Sequence, residues 1–300
     1  MDRSSGVLLV FDDDASERAM GDRLAAALGW PCGLVRRHAF PDGETRLTLP
    51  AALPQRVAVL RGLHDPNAKL TELLLAAAGA RELGAARLAL VCPYLAYMRQ
   101  DMAFSPGEVV SQRHLGGLLA GAFDGVVTVD PHLHRVATLD EVLPGRRGVA
   151  VSAAPLLGRF IAGRAPGALL LAPDEEAGRW VGSAAAVSGL DHAVCVKKRR
   201  GDRDVEVALQ GAAVRGRAVV ILDDVASTGR TLAAAARAAL AAGAARVDVA
   251  VTHALFVGDA LEHVRAAGVR EVWSSDCVPH ASNAVSVVPL LAQGLEPVMR

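Results

Sequence analysis

Lysine is scarce in this 300-residue chain: three occur, at positions 69, 197 and 198, against 29 arginines. None of the three follows a glycine, so the Gly-Lys-Ser/Thr of a Walker A loop is absent and any phosphate site has to be built another way. Arginine fills nearly every position where a plain positive charge suffices, which makes the adjacent pair Lys197-Lys198 informative. Aromatic residues reach only 4%, whereas hydrophobic residues reach 52%, so the core is built from Ala, Val and Leu. Cysteine is limited to Cys32, Cys92, Cys195 and Cys277, with no pair at metal-ligand or redox spacing. These read as free thiols of a reducing cytosol. Charge of one sign does not dominate: 32 basic and 32 acidic residues cancel. A neutral chain has no electrostatic case for nucleic acid or a membrane surface. No apolar run approaches membrane-spanning length, and "MDRSSGVLLVFDDD" lacks the basic and apolar regions of a signal peptide. The expectation is a cytoplasmic protein that engages neither nucleic acid nor membrane.

What is present is alternation. Apolar runs at 6–11, 56–60, 86–91 and 124–129 read as strands, with helices near 16–28, 67–83 and 110–121 between them. After the turn "LPGRRG" (143–148) the pattern restarts, with strands at 167–172, 192–197, 217–222 and 246–251 and helices near 175–187, 231–242 and 259–267. Near-continuous apolar strands alternating with helices mean parallel sheets covered on both faces. The restart predicts two similar α/β domains, 1–146 and 147–300. In such sheets ligands bind outside the carboxyl ends of the strands. Those ends carry "RGLHDPN", "CPYLAYMRQD", "DPHLH", "PDEEAG", "KRRGDRD" and "DDVASTGRT".

The last of these holds the most chemistry. Ser227, Thr228, Gly229 and Thr231 sit where a strand gives way to a helix N-terminus, which favours an anion. Gly229 permits positive φ and close backbone approach. Asp223 and Asp224 are wrong for phosphate but suit the hydroxyls of a diol. A phosphate and a diol at one strand end describe a ribose 5-phosphate moiety. The plain alternative is a capped helix, which one Ser or Asp would satisfy.

D-D-x-x-[DST]-T-G-x-T after an apolar strand resembles the phosphoribosyl diphosphate-binding motif of type I phosphoribosyltransferases and of ribose-phosphate diphosphokinases. Seven further segments, in order from about residue 35 to 290, resemble the diphosphokinases. They are "FPDGETRL" (40–47), "PYLAYMRQD" (93–101), "TVDPHLH" (128–134), "APDEEAG" (172–178), "KKRR" (197–200), and "VTHALFVGDAL" with "SDCVPH" (251–261 and 275–280). The short "DMAFSPGEVVS" after Arg99-Gln100 looks most like the compact archaeal-type branch.

The resemblance implies two phosphoribosyltransferase-like domains. It implies transfer of the diphosphoryl group of ATP to the anomeric hydroxyl of ribose 5-phosphate, giving AMP and 5-phosphoribosyl 1-diphosphate. ATP is then expected on Phe40, Asp42, Glu44, Arg99, Gln100 and Asp101. The alternatives are a Pro-Asp-Gly turn at 40–44 and a surface salt bridge at Arg99. Ribose 5-phosphate is expected on Asp223, Asp224, Ser227, Thr228, Gly229 and Thr231. His132 and Asp174 are expected to organise Mg²⁺, with His134 a capping or core histidine and Glu175 and Glu176 solvated. Lys198 and Arg200 are expected to be catalytic, facing the transferring phosphoryl groups, the alternative being a basic surface loop. The family's F-x-D-G-E segment reaches a neighbouring subunit's site, so a homo-oligomer is implied. Three departures remain: Arg230 in the phosphate loop, Glu175 and Glu176 in "PDEEAG", and "DPH" for the common "DLH". Two other functions stay open, a phosphoribosyltransferase that consumes the sugar diphosphate and a catalytically silent regulatory paralogue.

Overall fold

The structure, a computed structural model, describes residues 6–199, 205–209 and 213–300. In chain order it begins with β1 (Val7–Phe11), α1 (Ala15–Leu28), β2 (Cys32–Ala39), β3 (Thr45–Thr48), β4 (Arg56–Leu60) and α2 (Pro66–Glu82). There follow β5 (Arg87–Cys92), α3 (Ser111–Ala122), β6 (Gly125–Val129), β7 (Arg147–Val151) and α4 (Ala154–Arg164). Next come β8 (Leu169–Ala172), α5 (Gly178–Ser188), β9 (His192–Arg199), β10 (Val205–Leu209), β11 (Ala218–Ala226) and α6 (Arg230–Ala241). Last are β12 (Arg246–Ala254), α7 (Ala260–Ala266), β13 (Val269–Ser275), β14 (Asn283–Val285) and α8 (Val288–Met299).

These form two compact units, Met1–Val151 with Val287–Arg300, and Ser152–Ser286. The first sheet runs β3-β2-β1-β4-β5-β6-β7 and the second β10-β9-β8-β11-β12-β13-β14. Strand for strand the two orders are the same. In each, the hairpin strand at one edge pairs antiparallel, β3 on β2 and β10 on β9, and the pairs that follow are parallel. The expected pair of similar, mainly parallel α/β units is therefore present. Central strands β1 and β6 are buried throughout, as sheets covered on both faces require. Helix boundaries follow local chemistry. Asp14 caps α1 by accepting from Ser16 N and Glu17 N at 2.8 and 3.0 Å, and Gly29 ends it in the left-handed conformation.

Several elements were not expected from the sequence. β2 is exposed on both sides of Val35 and carries Arg36 and Arg37, and β3 is four residues with Arg46 among them, so no apolar pattern marks them. β7 begins at Arg147, inside the Arg/Gly-rich stretch read as an interdomain turn, and pairs with β6. α4, β13, β14 and α8 were also missed. α8 moves the division of the chain. It packs on the first sheet, burying Leu291, Leu295 and Val298, so residues 287–300 belong with the first unit rather than with 147–286. Gly294 makes the fit possible: a Cβ there would meet Val127 at 2.8 Å and Val151 at 3.1 Å. Arg87 then donates to Val298 O at 2.7 Å and Arg56 to Met299 O at 3.2 Å, satisfying carbonyls at the helix end.

Candidate active site

Each sheet reverses its strand order between the first and fourth strands of its unit, at β1/β4 and at β8/β11. Such switch points are where open α/β sheets hold ligands. The two units fill this place with opposite electrostatics.

In the first unit the place is filled from within. Arg61, just past β4, is fully buried, with its guanidinium 4.2 Å from the Phe11 ring. It donates to Asp13 at 2.6 and 2.9 Å, to Glu72 at 2.7 Å and to Glu17 at 3.3 Å. Glu17 also accepts from Gly62 N at 2.8 Å, and Arg37 donates to Glu72. Burial opposes each of these charges, and the cluster offsets it unequally. Asp13, bonded to both guanidinium nitrogens, is held below the usual carboxylate range despite its burial. Glu17 is pushed up to about 7 by burial, against the pull of Arg61. Sequence reading saw only a polar string, "RGLHDPN", at this strand end.

In the second unit the same place holds acids that repel one another. β11 does not stop at residue 222 as expected. It runs to Ala226, so Asp223 and Asp224 lie within the strand, and Asp223 pairs with Val251 of β12. Asp224 is buried, and its backbone N–H donates to Asp223 Oδ1 at 2.9 Å. Burial, then the charges of Asp224 and Asp174, push the Asp223 carboxyl well above its ordinary range. Asp174, after β8, accepts from Ala177 N at 3.2 Å and so caps the entry to α5. Glu175 and Glu176 are exposed, as solvated residues should be.

The raised Asp223 pKa sets the direction in which stability changes with pH. A carboxyl whose folded pKa lies above its unfolded value binds its proton more tightly in the folded state. Stability then falls as pH rises through that window. Asp223→Asn is expected to raise the melting temperature at pH 8, with the gain shrinking as pH falls and vanishing below about pH 4. No gain at pH 8 in a thermal melt would show that the site imposes no electrostatic strain.

Beyond β11 the chain turns through Ser227, Thr228 and Gly229 into α6. Gly229 has φ +70°, and no side chain caps the helix, so the plain capping alternative does not hold here. The amides of the first turn stay open toward an anion. A Cβ on Gly229 would meet Val264 at 2.7 Å and Ala260 O at 2.9 Å. The loop is braced from the next strand end: Phe256 N donates to Ala226 O at 2.9 Å and Val257 N to Ser227 O at 3.0 Å. These bracing residues fall in "VTHALFVGDAL", a run that resembled the family without an assigned role. Arg230 is exposed at the first position of α6, pointing to no role in holding the loop. Lys198 lies within β9, its backbone opposite Glu206 of β10, rather than beyond the strand end. Arg200 lies outside the described residues.

In the first unit "FPDGE" is a hairpin tip joining β2 to β3. Phe40 N donates to Glu44 O at 2.8 Å, Glu44 N donates to Asp42 Oδ1 at 3.1 Å, and Gly43 has φ +93°. The turn alternative is thus correct as local structure, and it presents Phe40, Asp42 and Glu44 together at an exposed tip. The His38 ring meets Phe40 edge-on at 4.8 Å. After β5, Tyr97 is held at φ +63°, Arg99 is exposed, and Gln100 donates to Met102 O at 3.1 Å. Asp101 lies 3.6 Å from Arg135. His132, after β6, has its Nδ1 3.1 Å from His134 Nε2. His134 is exposed and neither caps a helix nor enters the core, contrary to expectation. All four cysteines are free thiols, as expected. No described helix is long and apolar enough to cross a membrane.

Comparison with known proteins is consistent across the chain. Residues 9–122 match the family model for the N-terminal domain of ribose phosphate pyrophosphokinase, and residues 168–287 match the phosphoribosyl transferase domain. A ribose-phosphate pyrophosphokinase of Methanopyrus kandleri is 35% identical over 92% of this chain and 95% of its own. One from Halobacterium salinarum is 34% identical over 94% and 98%. The crystal structure of phosphoribosylpyrophosphate synthetase from Mycobacterium smegmatis superposes with a TM-score of 0.83, covering 98% of both chains at 22% identity.

Proposed function

The chain belongs to the ribose-phosphate pyrophosphokinase family, and from that membership we propose how its residues divide the work of an ATP-dependent diphosphotransferase. The anomeric oxygen of ribose 5-phosphate attacks the β-phosphorus of ATP. The bond from that phosphorus to the oxygen bridging it to the α-phosphorus breaks, AMP departs, and the hydroxyl proton is released. Such chemistry is mostly positioning and electrostatic stabilisation.

The observation that supports this reading most is the end of β11. An uncapped helix N-terminus, a left-handed Gly229 and two carboxylates occur within nine residues. The amides and hydroxyls of Ser227, Thr228, Gly229 and Thr231 take the 5-phosphate, and Asp223 and Asp224 take the sugar hydroxyls. Phe40, Asp42, Glu44, Arg99, Gln100 and Asp101 hold ATP. The exposed hairpin tip bearing the first three suits a site completed by a second copy of the chain, so the working form is a homo-oligomer. The cytoplasm is its place of action.

Mg²⁺ would neutralise phosphate charge and orient the diphosphate. Among the described residues no three metal-binding side chains converge. Mg²⁺ commonly takes one or two carboxylates and completes its shell with water and substrate phosphate. The mutually repelling acids at Asp174 and Asp223 fit that demand, and Asp174 with His132 would organise the ion. Lys198 and Arg200 are assigned to stabilise the charge that develops on the transferring group.

The test is to incubate the protein with ATP, Mg²⁺ and ribose 5-phosphate and follow AMP and the sugar diphosphate. Equal amounts of both are expected. ATP hydrolysis without the sugar product, or no AMP under any metal or phosphate condition, would remove the reading. Lys198→Ala is expected to lower kcat by about 100- to 1,000-fold, with KM for both substrates within a few-fold of the original. A variant with undiminished kcat would take Lys198 out of the catalytic step.

A further inference from the structure

Gln112 is a buried polar residue with no assigned role. It stands in the first turn of α3, where Val110 is the N-cap and no side chain caps the helix. Both of its donors go to one neighbouring segment. Its side-chain Nε2 donates to Met98 O at 3.2 Å, and its backbone N–H donates to Gln100 O at 3.2 Å. The two accepting carbonyls flank Arg99. Met98 itself is sunk in the core at 2% exposure, and Tyr97 before it takes a left-handed φ of +63°. The Tyr97 hydroxyl donates to Asn67 Oδ1 in the first turn of α2. A non-glycine residue in this conformation is strained and persists only where its surroundings hold it. The segment is thus strained on one side and clamped on the other, while Arg99 itself stays exposed.

A purely structural account of Gln112 is weak. A helix N-terminus is satisfied more simply by Ser, Thr, Asp or Asn at the N-cap, and burying a primary amide is unfavourable unless its hydrogen bonds are made. This amide is placed where it fixes the backbone on both sides of a single arginine.

We propose that Gln112 is a positioning residue for nucleotide binding, holding the 98–100 backbone so that Arg99 and Gln100 are pre-set for the ATP phosphates. This rests on reading those two residues as nucleotide contacts. Loss of the clamp leaves the strained Tyr97 turn free to relax, and the bound geometry then has to be re-formed at the expense of binding.

The test uses Gln112→Met, which keeps the side-chain length and removes the donor, and Gln112→Asn, which keeps an amide but shortens it by one methylene. Each full-length variant is titrated with ATP in the presence of Mg²⁺, separately with ribose 5-phosphate, and melted. Both variants are expected to lose about tenfold in ATP affinity, the size of one hydrogen bond. Ribose 5-phosphate affinity and kcat at saturating ATP stay within twofold. ATP affinity within twofold of the original in both variants would overturn the inference. So would a parallel loss for both substrates with a lowered melting temperature, which is what a merely structural residue gives. If the unaltered protein itself binds no ATP, the nucleotide reading of residues 99–101 fails, and the inference with it.

Discussion

Gly229→Ala is expected to abolish binding of ribose 5-phosphate with the sheet intact. The position combines two demands that no side chain meets together. Its φ of +70° disfavours any Cβ, at a cost of about 1–2 kcal/mol. The added carbon would also lie 2.9 Å from Ala260 O and 2.7 Å from Val264. The first of these is backbone at the start of α7 and cannot rotate away. The loop has to move instead, carrying its amides off the phosphate, and a shift of about 1 Å in a positioned site costs on the order of 100-fold in rate. Gly189 provides the control, with a φ of +68° and nothing within 4 Å of a Cβ. Gly189→Ala is expected to lose about 1 kcal/mol of stability and no ribose 5-phosphate affinity. Calorimetric titration of both variants decides the matter. Retained affinity in Gly229→Ala would mean the phosphate is held elsewhere.

Arg61→Met is expected to be the most destabilising single substitution in the first unit. Removing one partner from a buried ion cluster costs about 3–5 kcal/mol because the others remain buried without compensation. Here three carboxylates would remain, Asp13, Glu17 and Glu72. For a unit of this size the melting temperature falls by roughly 10 °C. The loss has a pH dependence whose direction is fixed. Glu17 already lies raised to about 7 by burial, against the pull of Arg61; without the guanidinium it favours its proton still more in the folded state, and Asp13 loses the partner that holds its carboxyl down. The variant therefore recovers toward the original protein as pH falls from 8 to 5. A denaturant titration at both pH values reads this out. A loss below about 1 kcal/mol at pH 8 would show that the cluster is not needed to close the switch point.

How much of this was legible in the sequence depended on which interactions are local. The buried strands and covering helices declared themselves because burial on both faces leaves an unbroken apolar run. β2 did not, because "RRHA" runs past the end of β1 and pairs only with β3, exposed where nothing selects against charge. α8 carries an apolar face, but its partner sheet is more than 130 residues away in sequence, and composition does not say which sheet a helix covers. At the site, the "DDVASTGRT" loop was readable because its conformation and its ligand groups lie in one short stretch. That Asp223 and Asp224 belong to the strand was not, since two charges normally end a buried strand. Arg61 was invisible for a stronger reason. Its burial is possible only through Asp13, Glu17 and Glu72, which come from two other stretches of chain. Gln112 is a similar case, since a glutamine on a helix looks like solvent-facing surface until its acceptors are seen.

The return of α8 to the first sheet has a consequence for synthesis. The second unit, Ser152–Ser286, is one unbroken segment, so all of it is synthesised before α8. The first unit begins first but cannot cover β5, β6 and β7 until residues 288–299 emerge. Domains usually mature from the N-terminus as they are translated. Here the order is inverted: the later half is free to fold while the earlier half waits with an apolar sheet face open to water. A stalled or prematurely terminated chain that lacks α8 would therefore carry a finished second unit joined to an aggregation-prone first one.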